Sequence, residues 1–125
     1  MKLFYSLLFV LFILTIGCNR DCEYTEQVAI TAKMPDTINV NQSVQFNLDY
    51  GTNGCGGTPH LDENINGNNR KLILEIDVIS PDCACTEQYI FQQYPYSFIP
   101  TTAGIYTFEL SQPNGNNLLD TIIVQ

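Results

Sequence analysis

Hydrophobic and polar positions follow two different patterns along the chain. Residues 3–16 form a run of fourteen mostly large apolar side chains that stops at Thr15-Ile16-Gly17-Cys18, after which the composition turns polar. That run is short of the roughly 20 residues a helix needs to cross a bilayer, and it suits the helical core of an export signal. Beyond it the pattern alternates with a period of two. Val28, Ile30 and Ala32 share one side of residues 26–33, and residues 37–40 resume the alternation after Pro35-Asp36. Val44, Phe46 and Leu48 then alternate with Gln45, Asn47 and Asp49, which is the signature of a half-buried strand.

Residues 51–57 are glycine-rich and read as a flexible connection containing Cys55. Further strands are predicted at 60–65, at 71–79 with Leu72, Leu74, Ile76 and Val78 on one face, at 89–94 and 96–99 on either side of Pro95, at 105–110 and at 118–124. No helical period occurs after residue 18. Asn66-Gly67-Asn68-Asn69 and Asn114-Gly115-Asn116 are hairpin signals, because Asn and Gly tolerate the positive φ of tight turns. If the first turn centres on Gly67-Asn68, residues whose numbers sum to 135 lie opposite one another. Cys55 then faces residue 80, just short of Cys83. Seven to eight short strands separated by turn signals predict an all-β, antiparallel sandwich preceded by the signal helix.

Three segments follow: 1–17 as the signal, 18–25 as a short tether, and 26–125 as one β-domain. Removal of the first segment leaves 108 residues, enough for a single core. It also removes Lys2, leaving four basic against thirteen acidic residues and a formal charge of −9. So acidic a chain is not built to bind nucleic acid, nor to sit electrostatically on anionic lipid. The seven Tyr, seven Phe and absence of Trp suit strands.

Lys2 supplies the positive start of the leader and Gly17 the small residue beside a cut. The stretch Leu14-Thr15-Ile16-Gly17-Cys18 resembles a bacterial lipobox, with Thr15 where leucine is commonest. The resemblance implies that Cys18 is diacylated and becomes the new first residue. Two or three acyl chains would anchor the protein stably, where one binds only marginally. It further implies the bacterial cell envelope, on the outer membrane, with the bilayer as a partner through the acyl chains on Cys18. An uncleaved membrane anchor and an ordinary secretory signal are the alternatives.

Residues 96–108, Tyr-Ser-Phe-Ile-Pro-Thr-Thr-Ala-Gly-Ile-Tyr-Thr-Phe, resemble the corner between two strands of immunoglobulin-like sandwiches. In that family a tyrosine two positions after a glycine pins the corner to upstream backbone. Tyr106 would take this role, and Phe108 stands where antibody domains carry their second inter-sheet cysteine. Taken with Asn53-Gly54-Cys55-Gly56 and Cys83-Ala84-Cys85, the chain is similar to small lipoproteins of Bacteroidota.

With Cys18 acylated, Cys22, Cys55, Cys83 and Cys85 are an even number of thiols in an oxidising compartment, so two disulfides are expected. The hairpin register favours Cys55 with Cys83 or Cys85, leaving the other for Cys22. Each bridge is worth ~3 kcal/mol. A Cys-x-Cys pair with two isolated cysteines fits zinc poorly, and no Cys-x-x-Cys redox motif is present. No cofactor and no metal site is predicted. Asn41-Gln42-Ser43 matches a glycosylation acceptor by chance.

His60, the single histidine, has Asp62 and Glu63 beside it. No nucleophile elbow accompanies it, so no catalytic residue is assigned. The chain thus reads as a non-catalytic binding or structural module for an envelope or extracellular protein or glycan. Contacts are expected from residues 51–69 and from the aromatic stretch Tyr89 to Tyr96. The rival is an envelope enzyme or protease-inhibitor-like protein using the loops near Cys55 and Cys83.

Overall fold

A computed structural model describes residues 22–80, 83 and 88–125. The expected signal helix, Cys18 and Cys85 lie outside the described residues. Among those described, the chain forms nine strands and no α-helix: β1 (Glu23–Gln27), β2 (Ile30–Ala32), β3 (Thr37–Ile38), β4 (Val44–Asn53), β5 (Gly56–Asn66), β6 (Asn69–Ile79), β7 (Tyr89–Phe98), β8 (Gly104–Leu110) and β9 (Leu118–Val124). They make two sheets.

In the larger sheet β5 runs the length of β6, whose other side is shared. β8 lies against residues 69–72 of β6 and β1 against residues 75–79. β9 and then β3 extend this sheet beyond β8. The smaller sheet is β2-β4-β7, all antiparallel.

The inner faces pack on each other through the alternation visible in the sequence. Phe46, Leu48, Tyr96 and Phe98 from the smaller sheet meet Leu72, Leu74, Ile76, Phe108 and Ile122 from the larger one. Phe108, fully buried, sits at the centre, with ring centroids 5.3 Å from Phe98, 5.7 Å from Phe46 and 6.2 Å from Tyr96. Burying such side chains at about 1.5–3 kcal/mol each is what holds the layers together.

Several details differ from the sequence reading. Residues 23–25, expected in the tether, are the start of β1, hydrogen-bonded along the last residues of β6. The single strand expected at 26–33 is two, because the chain crosses between sheets at Val28 and Ala29. Val28 donates its N–H to Leu74 of the larger sheet at 3.0 Å, whereas Ile30 pairs with Tyr50 of the smaller. Both side chains point into the same core, so the period of two survives the crossing and conceals it.

The sandwich is also not wholly antiparallel: β6 pairs with β8, and β3 with β9, in parallel. Between β6 and β8 the chain visits the other sheet as β7 and returns, and this double crossing sets β8 in the direction of β6. Finally, residues 51–57 are not a flexible loop. β4 continues to Asn53, residues 54–55 turn, and β5 begins at Gly56.

The 66–69 hairpin has the expected register, from Asn66 opposite Asn69 to Pro59 opposite Ile76, with Gly67 at φ 61°. A bulge between Gly56 and Pro59 then slips it by one residue, so that Gly56 faces Val78. At Gly57 a Cβ would lie 2.9 Å from the Asp77 carbonyl oxygen, so glycine is what lets the bulged strand close on its neighbour. The slip brings Cys55 opposite Ile79 rather than residue 80, and the Ile79 N–H donates to the Cys55 carbonyl at 3.3 Å.

Candidate functional site

The three described cysteines, Cys22, Cys55 and Cys83, gather at one end of the sandwich, where β1 begins, β4 and β6 end and β7 begins. Ser80 donates its N–H to the Cys22 carbonyl at 2.6 Å, and Cys83 donates to Ser80 at 2.8 Å. These bonds bring Cys22 and Cys83 together, and they are joined by a disulfide with a Cα–Cα distance of 5.8 Å. Cys55 is also disulfide-bonded. Beside this end an open hollow of about 460 Å³ is lined by Glu23, residues 54–58 and residues 77–79. Among the described residues its charged side chains, Glu23 and Asp77, are both acidic.

The same end carries aromatic surface. β7 is an edge strand, and its outward positions include Tyr89 and Phe91, 64% and 81% exposed, with ring centroids 5.1 Å apart edge to face. Tyr89 lies over Gly51, where a Cβ would come within 1.8 Å of its hydroxyl; Phe91 faces the same glycine across the strand pair. Below them the outward positions turn polar: Asn47 donates to Gln93 at 3.3 Å and Gln93 to Asp49 at 2.7 Å. Pro95 interrupts nothing, since an edge strand has hydrogen-bonding positions with no neighbour to serve.

The histidine does not meet the acids beside it in sequence. His60 lies on the outer face of β5, and its Nε2 is 3.0 Å from Asp77 of β6, both half-exposed. Thr25 of β1 donates to the other oxygen of Asp77 at 2.9 Å. Hydrogen bonds from His60 and then Thr25 hold the Asp77 carboxyl below its ordinary value. A hydrolytic relay needs the hydroxyl on the imidazole; here hydroxyl and imidazole both bind the acid. Among the described residues no group of His, Cys, Asp and Glu is arranged to hold a metal ion.

Glu63 instead faces inward from β5. Arg70 donates to it at 2.5 Å and the Tyr96 hydroxyl donates to the same carboxylate oxygen; Arg70 also reaches the Tyr96 oxygen at 3.1 Å and lies 4.9 Å from the Phe98 ring centre. Burial, reinforced by the hydrogen bond to Glu63, pushes the Tyr96 phenol well above its ordinary value. Burial opposes the Arg70 charge, but Glu63 and Tyr96 outweigh it and raise its pKa. The arrangement is a strut between the edges of the two sheets.

Tyr106 is buried, and its hydroxyl donates to the Thr102 carbonyl oxygen at 3.2 Å across the turn leading into β8. This is the corner bond that the immunoglobulin-like resemblance implies. Sequence reasoning missed Arg70, Thr25 and Asp77 as partners. Arg70 had a signal: it shares the parity of Leu72 and Leu74, so a strand starting at residue 69 puts its charge on the core side, where it needs an anion. Compared with known protein families, curated proteins and solved structures, the chain matches none.

Proposed function

We propose that this chain is an envelope lipoprotein, held in a membrane by acyl groups on Cys18, whose immunoglobulin-like sandwich is a non-catalytic binding or structural module. The observation that carries the reading is the Cys22–Cys83 disulfide. It ties Cys22, four positions after Cys18, to the segment that follows β6, so a lipid on Cys18 would pull on a covalently closed domain rather than on a strand free to peel. Cys55 then takes Cys85 as its partner, which makes two bridges at the anchored end.

Two further features support a binding role over the enzyme or inhibitor. His60 is bonded to Asp77 rather than joined with Asp62 or Glu63 in a pocket. Residues 54–55 form a two-residue turn between strands rather than a protruding inhibitory loop. The partner is an envelope or extracellular protein or glycan, and a protein fits the outer face of β8 and β9 best. There Ile105 and Ile123 stand opposite one another, 63% and 50% exposed, and Leu119 on the same face is 71% exposed.

The test is intact-mass analysis of the protein extracted from cells, with and without reductant. The expected species begins at Cys18, carries two or three acyl chains, and gains the mass of four hydrogens on reduction. A mature chain beginning elsewhere, or one with four free thiols, overturns the reading. Accumulation of the uncleaved form in cells treated with globomycin, which blocks lipoprotein signal cleavage, is the independent check.

A further inference from the structure

The three large aromatic side chains exposed among the described residues, Tyr24, Tyr89 and Phe91, all lie at the end that carries Cys22. Tyr24 is the second residue of β1, and Tyr89 and Phe91 are the first and third of β7. Ile79, the last residue of β6, and Ile90, the second of β7, add exposed aliphatic surface at the same end. The opposite end, by contrast, exposes isoleucine but no aromatic ring among the described residues.

From these positions we infer that the cysteine-bearing end of the sandwich rests on the lipid surface, with Tyr24, Tyr89 and Phe91 entering the headgroup region. The inference builds on the lipoprotein reading and goes beyond it, from attachment to orientation. Three residues separate Cys18 from Cys22, and the four steps between their Cα atoms reach at most about 14 Å when fully extended. Because the disulfide fixes Cys22 to the domain, this reach is the whole slack between the acylated residue and the folded end. Tyrosine suits the boundary chemically: its ring buries in the apolar side while its hydroxyl stays among headgroups. Charge argues for the same mode, since a mature chain of formal charge −9 gains nothing from anionic lipid and must gain from ring burial. Glu23, opposite Ile79, keeps the contact at headgroup depth rather than deeper. β7, ten residues long, sets the opposite end roughly 30 Å farther out.

The chain has no tryptophan, so single-indole variants report position cleanly. The acylated full-length variants Phe91→Trp, Tyr24→Trp and Ile65→Trp would be reconstituted into zwitterionic vesicles with brominated acyl chains, and each preparation checked by intact mass and flotation. Ile65 is exposed near the hairpin tip at the opposite end. The expected result is a blue shift and loss of roughly half the emission at positions 91 and 24, and no change at 65. Acylated, floating protein with unquenched indoles at 91 and 24, or with all three positions responding alike, overturns the orientation and leaves the anchor standing. A blue shift at 91 without vesicles that grows with protein concentration also overturns it, in favour of a second copy of this chain on the patch. Protein that neither carries acyl groups nor floats removes the anchor, and the orientation with it.

Discussion

The strut formed by Glu63, Arg70 and Tyr96 makes a quantitative prediction. Tyr96→Phe keeps the ring, which packs 5.1 Å from Phe46, and deletes only the hydroxyl that donates to Glu63. A hydrogen bond to a charged group contributes about 1.5–3 kcal/mol. Because the Glu63 side chain keeps 26% of its exposure and can regain water, the loss should fall at the lower end, about 1.5 kcal/mol. Glu63→Gln should cost more. It leaves the Arg70 guanidinium, whose side chain is 15% exposed and whose Nε has no partner among the described residues, without its anion. Stranding a fully buried ion costs about 3–5 kcal/mol, so about 2–3 is expected here.

The double variant should cost less than the sum by about 1 kcal/mol, since both changes act on one carboxylate. Urea unfolding with an unchanged m value is the assay. The Tyr96 phenol is raised above 10 in the folded state, so the folded protein holds a proton that the unfolded chain releases. Stability should therefore fall as pH rises above 10, and Tyr96→Phe should remove that part of the slope. A Tyr96→Phe variant within about 0.5 kcal/mol of wild type, or a Glu63→Gln variant less damaging than Tyr96→Phe, would refute the strut.

Replacing both Cys22 and Cys83 by alanine opens a loop with a sequence separation of 61, which chain entropy values at about 4 kcal/mol; denaturant unfolding should show most of that loss, and a loss under about 1 kcal/mol would contradict it. Phe108→Ala removes the ring on which Phe46, Tyr96 and Phe98 converge and should cost about 3–5 kcal/mol by the same assay. At acid pH, Asp77 is held below its ordinary value by His60 and Thr25, and Glu109 by Lys71 and Asn117. Carboxyls depressed on folding stabilise the protein above their unfolded pKa and lose that contribution as pH falls through the folded one. Thermal midpoints measured from pH 6 to pH 3 should therefore decline, and His60→Ala and Lys71→Ala should each make the decline shallower.

The sequence by itself determined which side chains face the core and where the chain turns. Alternation in β4 and β6 and the Asn-Gly signals at 66–69 and 114–116 are local, and local sterics read them without help from the rest of the molecule. The Tyr106 bond also spans only four residues, and it was the immunoglobulin-like resemblance, not local sterics, that pointed to it. Tertiary structure alone decided which sheet each strand joins, because β1 and β2 present the same parity to one core from opposite layers. It decided the parallel pairing of β6 with β8, a consequence of two crossings rather than of any residue. The partners of His60 and Glu63 belong to this class too. Glu63 points to the opposite side of β5 from His60, whereas Asp77, Arg70 and Tyr96 arrive through strand pairing and sheet packing, which link residues by register and distance rather than by order along the chain.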